Sequence, residues 1–294
     1  KPRSVDSGQG IGAPTALDPG ILATPDRALV CAARAIMHMG ELVEAMLRAS
    51  ITLFVKWDDT TAGAVVATEK QIREIHLETK LFLAKLSGNR LDEAMSHQVM
   101  ELSALAVNLE AAADIIARNM IGLARRLDTE SVRFSKEGWK EMTDFHDRVL
   151  ANTQLALHIM MTQNPAEARE LIAEKEAIRR VEQDLQRRHL GRLRDGLAES
   201  IATSNIHQET LRALKQINTS FSIAAHPILN ETGDLLESRL VEPVLRADVQ
   251  YTRTPEFTYF MCGQMSLYSS CEMMRKLSVT ASQGSGQNMG VMPL

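Results

Sequence analysis

The stretch that decides the fold is residues 91–127, LDEAMSHQVMELSALAVNLEAAADIIARNMIGLARRL. Apolar residues recur there in alternating steps of four and three, over about nine turns of helix. They are Met95, Val99, Leu102, Ala106, Leu109, Ala113, Ile116, Met120, Leu123 and Leu127. This is a heptad pattern, and the segment contains no Pro and a single Gly, Gly122. It predicts one continuous helix whose apolar face packs against other helices along its whole length.

The composition of the chain favours helices over sheets. Its 294 residues suffice for one large or two ordinary domains, with 45% apolar and 24% charged residues. Aromatic residues make up only 4% while there are 15 Met, a balance that suits closely packed helices better than strands. We therefore predict an all-α fold.

Charge, cysteine content and hydropathy exclude several classes of protein. A net charge of −4 gives no general reason to expect nucleic acid as a partner. Three scattered cysteines are too few for a disulfide framework and favour a reducing compartment. No run of 18 apolar residues is present, so this sequence does not predict a membrane span. A start at Lys1 rather than Met is compatible with a piece of a longer protein.

The rest of the chain repeats one plan twice: a long helix, a medium helix and a long helix, separated by turns. The predicted helices cover about residues 25–57, 62–86, 91–127, 132–163, 166–193 and 204–229. Gly88 is expected to end the second helix in a left-handed conformation, and Pro227 to kink the sixth. We predict two tandem three-helix bundles, residues 25–128 and 129–240. A loose leader precedes them over 1–24, and a divergent, poorly ordered tail follows over 241–294.

Two acids, Glu110 and Asp114, lie one turn apart and therefore on the same face of the predicted helix. They stand beside the ten apolar residues of its heptad pattern, which we call the seam. Two interpretations are open. They are ligands of a divalent or ferric metal ion, or they are solvated side chains at the edge of the seam. Like charges at this spacing are tolerated in water, and Arg118, one turn beyond, is placed to neutralise Asp114 without a metal.

Several motifs together resemble the PhoU-like domains of bacterial sodium/phosphate cotransporter proteins. The acidic pair within Asn108–Asn119 resembles the signature of the third PhoU helix. Five further segments resemble the PhoU-like domains that are attached to these cotransporters. They are Ile75–Leu83, Phe134–Glu141, His189–Gly196, Glu199–Ser204 and Leu214–Asn218. The resemblance covers about residues 20–240. It implies a regulatory domain on the cytoplasmic side of the membrane, behind a transmembrane phosphate-transport domain that would lie upstream of this chain.

The sequence departs from the metal-binding members of that family. Those members repeat the acidic pair on several helices, whereas here Glu69 is followed one turn later by Arg73, and Glu174 by Ile178. The sixth helix has Asn218 where an acid of the pair would stand. Because a hard cation takes about six oxygen ligands, one complete pair is a weak site, and the metal chemistry of the family does not carry over.

Catalytic patterns are absent from the sequence. The eight histidines include no Glu-x-x-His pair, and no nucleophile elbow or phosphate-binding Gly-rich loop is found. The basic run over 179–194 suggests phosphate or acidic-lipid binding, but it alternates with acids and so favours a solvated helix face. The alternative is a patch that faces the inner leaflet or the loops of the transporter.

We therefore predict a non-enzymatic function in phosphate transport or homeostasis, with no cofactor assigned beyond the open metal ion. A homodimer is left open and no nucleic-acid partner is expected. The alternative is a free-standing, metal-binding regulator that acts on a partner kinase or importer. An enzyme with a carboxylate-bound metal is a third interpretation.

Overall fold

The computed structural model describes residues 17–233, and every regular element in that range is helical. The helices are α1 (Pro25–Val55), α2 (Asp59–Ser87), α3 (Glu93–Asp114), α4 (Ile121–Thr129), α5 (Lys136–Thr162), α6 (Pro165–Arg194), α7 (Ala198–Ala202), α8 (Ser204–Ser222) and α9 (His226–Glu231). The all-α prediction is confirmed. None of the helices in this range is both long enough and apolar enough to span a bilayer.

The predicted third helix is helical from end to end. The α3 helix passes through a π-helical turn, Ile115–Met120, directly into α4. Eight of the ten seam residues are buried, from Val99 to Leu127, and the other two, Met95 and Leu102, pack partly buried against the core. The π turn was not predicted. The heptad residues within it, Ile116 and Met120, and after it, Leu123 and Leu127, are buried.

Polar side chains begin most of the long helices. The carboxylates of Asp58 and Asp92 accept hydrogen bonds from the first-turn backbone amides of α2 and α3, as does the Ser135 hydroxyl in α5. The prediction for Gly88 is wrong, since its φ is −73° and lies in the right-handed region. Left-handed residues follow other helices, and they include Ser131 after α4, Gln163 at the end of α5 and Gly196 after α6.

The helices pack in two sets of three. The α1, α2 and α3 helices pack against one another, and so do α5, α6 and α8. Contacts of α1 with α5 and of α3 with α8 join the two sets, and one continuous apolar core runs through both. The boundary between residues 128 and 129 stays a prediction.

The segment before α1 differs from the expected loose leader in the part that is described. Residues Pro19–Ala23 form a 3-10 turn whose side chains pack on a second, smaller core between α1, α2 and α3. The Asn89 amide donates a hydrogen bond of 3.0 Å to the Leu22 carbonyl. Residues 1–16 and the predicted tail over 241–294 lie outside the described range.

The predicted sixth helix is interrupted before Pro227. The α8 helix ends at Ser222, a 3-10 turn covers Ile223–Ala225, and α9 begins at His226 with Pro227 in its first turn. The predicted kink is confirmed, because proline has no N–H to continue the helical hydrogen bonds. The segment between the predicted fifth and sixth helices contains the short helix α7.

Candidate functional site

The predicted acidic pair lies at the end of α3, just before the π turn. Glu110 and Asp114 are both half-buried. The Arg118 Nε lies 2.6 Å from Asp114 Oδ1, so the predicted neutralisation by arginine is present. The pair thus sits beside the seam with a guanidinium, rather than a third acid, as the charged neighbour one turn on.

The neighbouring helix α2 brings a further acid and a further arginine to this face. Glu69 is only 6% exposed, and its Oε1 accepts a hydrogen bond of 3.0 Å from Arg73 Nε and a second, shorter one from Nη2. The hydrogen bond to Glu69 is the main cause that raises the pKa of Arg73, and the charges of Glu69, Glu110 and Asp114 act in the same direction. A guanidinium therefore stands among three carboxylates.

These residues do not fit a bound metal ion. Within residues 17–233, no three or more His, Cys, Asp or Glu side chains are grouped so that they could hold one. Two guanidinium groups already neutralise the acids of α2 and α3, and Arg73 would repel a cation placed between them. The assignment of Glu110 and Asp114 as metal ligands stays a prediction, and Glu69, the third acid on this face, is paired with Arg73.

In the helices α5, α6 and α8, acidic side chains are likewise paired with basic ones. Arg148 of α5 pairs with both carboxylate oxygens of Glu174 on α6. Glu182 of α6 is 2% exposed, and its Oε2 lies 3.2 Å from Lys215 Nζ of α8. The acids of the inner helix faces are thus matched by basic side chains, which makes them structural cross-links between helices.

A second polar group, which we call the end cluster, lies where the start of α5, the end of α6 and the start of α8 meet. Its members are Ser135, Glu141, Arg188, His189, Arg192, Ser200, Ser204 and His207. The sequence motifs around these residues were recognised one by one. Their meeting in space was missed, because they come from three segments and buried histidines leave no periodic signal.

The end cluster is built around two stacked imidazoles. The rings of His189 and His207 lie 4.6 Å apart at 11°, and each residue is 1% exposed. Burial lowers the pKa of His189, and it lowers that of His207 to about 3, with the neighbouring His189 and Arg192 acting in the same direction. Both rings are therefore neutral at neutral pH. The His189 Nε2 lies 2.9 Å from the Ser204 hydroxyl.

An apolar groove of about 740 Å³ lies at another place on the bundle, lined by α1, α3, the end of α5 and α9. Its acidic residues include Glu101 and Glu231. Burial is the main cause that raises the pKa of Glu101, and the charge of Glu231 adds to it, although His97 opposes it. The groove brings together no nucleophile and base.

Comparison with known proteins shows that the bundle is similar to PhoU domains. Residues 36–120 match the family described as the PhoU domain. The chain contains a PhoU-like domain. In crystal structures, PhoU from Streptococcus pneumoniae superposes with a TM-score of 0.63 at 16% identity, covering 73% of this chain and 100% of that one. PhoU from Pseudomonas aeruginosa gives 0.64 at 18% identity, covering 71% and 99%.

Curated relatives align over most of the PhoU-like domain. The "Putative inorganic phosphate export protein YjbB" of Salmonella typhimurium is 29% identical over 218 residues, 74% of this chain and 40% of that protein. The protein of the same name from Escherichia coli K12 is 27% identical over 221 residues, 75% of this chain and 40% of that protein. This chain thus spans two fifths of the length of these relatives.

Proposed function

We propose that this PhoU-like domain is the regulatory part of a membrane phosphate-transport protein and has no catalytic activity of its own. The observation that carries the proposal is the alignment of 74% of this chain with only 40% of a relative named as a phosphate exporter. The partner we propose is a transmembrane phosphate-transport domain upstream of residue 1. The domain would then act on the cytoplasmic side of the membrane.

The side-chain chemistry of the bundle supports a regulatory rather than a catalytic part. Acids that line the helix faces are paired with arginine or lysine, as in Glu69–Arg73 and Glu174–Arg148, and are not free to act as bases or metal ligands. One apolar core runs through both sets of helices. Such a bundle moves as a unit, so that a change on one face is carried to a transport domain docked on another.

Deletion in the intact protein tests this proposal. Removing residues 25–231 should change the rate of phosphate transport, or its dependence on external phosphate, with the membrane part still inserted. Radiolabelled phosphate flux in cells, with the amount of membrane protein measured in parallel, provides the readout. Unchanged flux across a range of phosphate concentrations would contradict a regulatory role.

Coupling to sodium is the finer part of the proposal. Flux should fall when an inward sodium gradient is replaced by potassium at equal ionic strength, since a symporter draws its driving force from that gradient. Equal flux in both ions would reject the sodium-dependent transporter and leave the regulatory role of the domain untouched.

A free-standing regulator acting on a kinase or an importer is the second candidate. It is favoured by the structural match that covers all of the Streptococcus pneumoniae PhoU chain, so that the bundle is as large as a whole regulator of that kind. Metal analysis of the purified chain distinguishes the two candidates. Stoichiometric iron or zinc that disappears in Glu110→Ala/Asp114→Ala would favour the metal-binding regulator. Metal-free protein would favour the transporter domain, in which Arg73 and Arg118 neutralise the acids.

A further inference from the structure

The end cluster concentrates buried polar atoms that lack hydrogen-bond partners. In the described residues, eight buried side-chain nitrogen or oxygen atoms have none, and five of them lie here. They are Glu141 Oε2, Arg192 Nε, Arg192 Nη2, His207 Nδ1 and His207 Nε2. Glu141 Oε2 and Arg192 Nη2 face each other as an ion pair without a hydrogen bond, whereas Arg192 Nε and both ring nitrogens of His207 have no hydrogen-bond partner. Because buried polar atoms in folded proteins are almost always paired, these atoms point to a ligand.

The electrostatics of the cluster select an anion. Arg188 and Arg192 bring two positive charges against the single carboxylate of Glu141, because both histidines are neutral. The α5 and α8 helices both begin at the cluster, and a helix N-terminus carries partial positive charge. The balance is positive, and no group of acids or histidines suited to a metal ion is found in residues 17–233.

The unpaired atoms further require an anion that donates as well as accepts. Arg192 and one ring nitrogen of His207 are donors. The Glu141 Oε2 is an acceptor: it lies 2.9 Å from Arg192 Nη2, an ion pair that is not aligned as a hydrogen bond. Phosphate at neutral pH keeps at least one P–O–H group that a carboxylate can accept, whereas sulfate has none.

We propose that the end cluster binds inorganic phosphate, with Arg192 and His207 donating to phosphate oxygens and Glu141 accepting the P–O–H proton. The hydroxyls of Ser135 and Ser204 lie at the first turns of α5 and α8 and supply further donors. This site goes beyond the regulatory function proposed above, because it assigns the domain a ligand of its own.

The cluster opens to solvent at its charged side. The side chains of Glu141 and Arg192 each keep 13% of their surface exposed, while Arg188, with Nη1 3.9 Å from Glu141 Oε1, is 64% exposed. The unpaired atoms of Glu141 and Arg192 are themselves buried, so a phosphate ion meets Arg188 first and reaches them only when this ion pair opens.

Isothermal titration calorimetry with inorganic phosphate on the 294-residue chain tests the site. Wild-type protein should bind phosphate at millimolar concentration or below and bind sulfate more weakly. Arg192→Gln should weaken phosphate binding at least about ten-fold, because a bidentate donor is lost. The matched control is Arg187→Gln on the same helix, an exposed residue paired with Asp184, which should bind as wild type does.

Glu141→Gln tests the selectivity. The amide nitrogen it introduces donates instead of accepting, so the preference for phosphate over sulfate should fall at least about ten-fold. If Arg192→Gln does not fold by circular dichroism, Arg192→Lys keeps the charge, loses the planar fork and should still weaken binding.

Three results would overturn the site: no phosphate binding by the wild type, phosphate binding by the Arg192 variants equal to wild type, or an unchanged preference in Glu141→Gln. Transport is not measured in this experiment. Failure of the phosphate site therefore leaves the regulatory proposal standing, and loss of the regulatory proposal leaves the site testable.

Discussion

The two sets of three helices share a plan but differ in what they bury. In the described residues, three buried polar or charged side chains lie before residue 130 and thirteen after it. The earlier ones are Ser50, Glu69 and Thr79, and the later ones are Ser135, His146, Asn152, Thr153, Glu182, His189, Ser200, Thr203, His207, Thr210, Asn218, Ser220 and Ser222. The first set is held by apolar packing, whereas the second also depends on particular polar pairs.

The polar pairs of the second set fix which helices meet. Inside the core, the side-chain amide of Asn152 on α5 donates a hydrogen bond of 2.6 Å to the side-chain oxygen Oδ1 of Asn218 on α8. His146 of α5 reaches the Leu47 carbonyl of α1 at 3.1 Å and so ties the two sets together. Because each buried group must find its partner, such contacts favour one arrangement of the helices over its alternatives.

The largest effect should come from truncating the seam of the first set. Leu109 is fully buried, and its Cδ1 lies 3.8 Å from the position a Cβ would take at Gly40 on α1. Leu109→Ala should lower the free energy of unfolding by about 3–4 kcal/mol, since it leaves a cavity in the apolar core. Urea denaturation measures the loss. Met100→Ala on the same helix, at a position 62% exposed, should change little. Equal losses at both positions would show that the seam does not hold the first set.

The next largest effect should come from unpairing a buried charge in the second set. Lys215→Met leaves Glu182 in the core with only the Gln186 amide as a donor, and should lower the free energy of unfolding by about 2–3 kcal/mol. Replacing both residues of the pair with Met should recover most of that loss in urea denaturation, because no charge is then buried alone. A double variant as unstable as the single one would mean that the ion pair itself, and not the orphaned carboxylate, sets the stability.

The difference between the two sets also explains what could be predicted from the sequence. The heptad steps from Met95 to Leu127 predicted the central helix, because apolar periodicity records directly which face is buried. The spacing of Asp114 and Arg118 likewise predicted a contact that is present. The spacing of Glu69 and Arg73 on one helix also shows that an arginine stands where the second acid of a metal-binding pair would be.

The end cluster could not be predicted in the same way. Its members come from residues 135–141, 188–192 and 200–207, and only the packing of α5, α6 and α8 brings them together. The sequence does not distinguish the stacked and buried His189 and His207 from an exposed histidine such as His97. The π turn was missed for a related reason, because a heptad pattern continues across it without a gap.

The next effect is a loss of stability in acid that belongs to the second set. The pKa of His207 is about 3 in the folded chain, against an ordinary value of 6.5. Between these values the unfolded chain binds the extra proton, so stability is full above pH 6.5 and falls as the pH falls. From pH 7 to pH 5 the loss should be about 1.5–2 kcal/mol from this residue. His207→Phe should flatten the pH dependence by that amount in urea titrations, whereas His97→Phe at an exposed site should not. Identical profiles for His207→Phe and wild type would place the titration elsewhere.

The smallest effect should separate two arginine–carboxylate pairs. Arg148 and Glu174 join α5 to α6 with side chains 40% and 29% exposed, so Arg148→Met should lower the free energy of unfolding by about 0.5–1 kcal/mol. Arg73 and Glu69 belong to one helix, and replacing both with Met should lower it less, because no carboxylate is then left buried alone and no second helix is held. Matched urea titrations at low and high salt measure both, and the Arg148 effect should shrink in salt. A larger loss in the Glu69 and Arg73 double variant would mean that the Arg73 guanidinium holds α3 to α2 through Glu110 and Asp114, and the first set would then also depend on a polar cross-link.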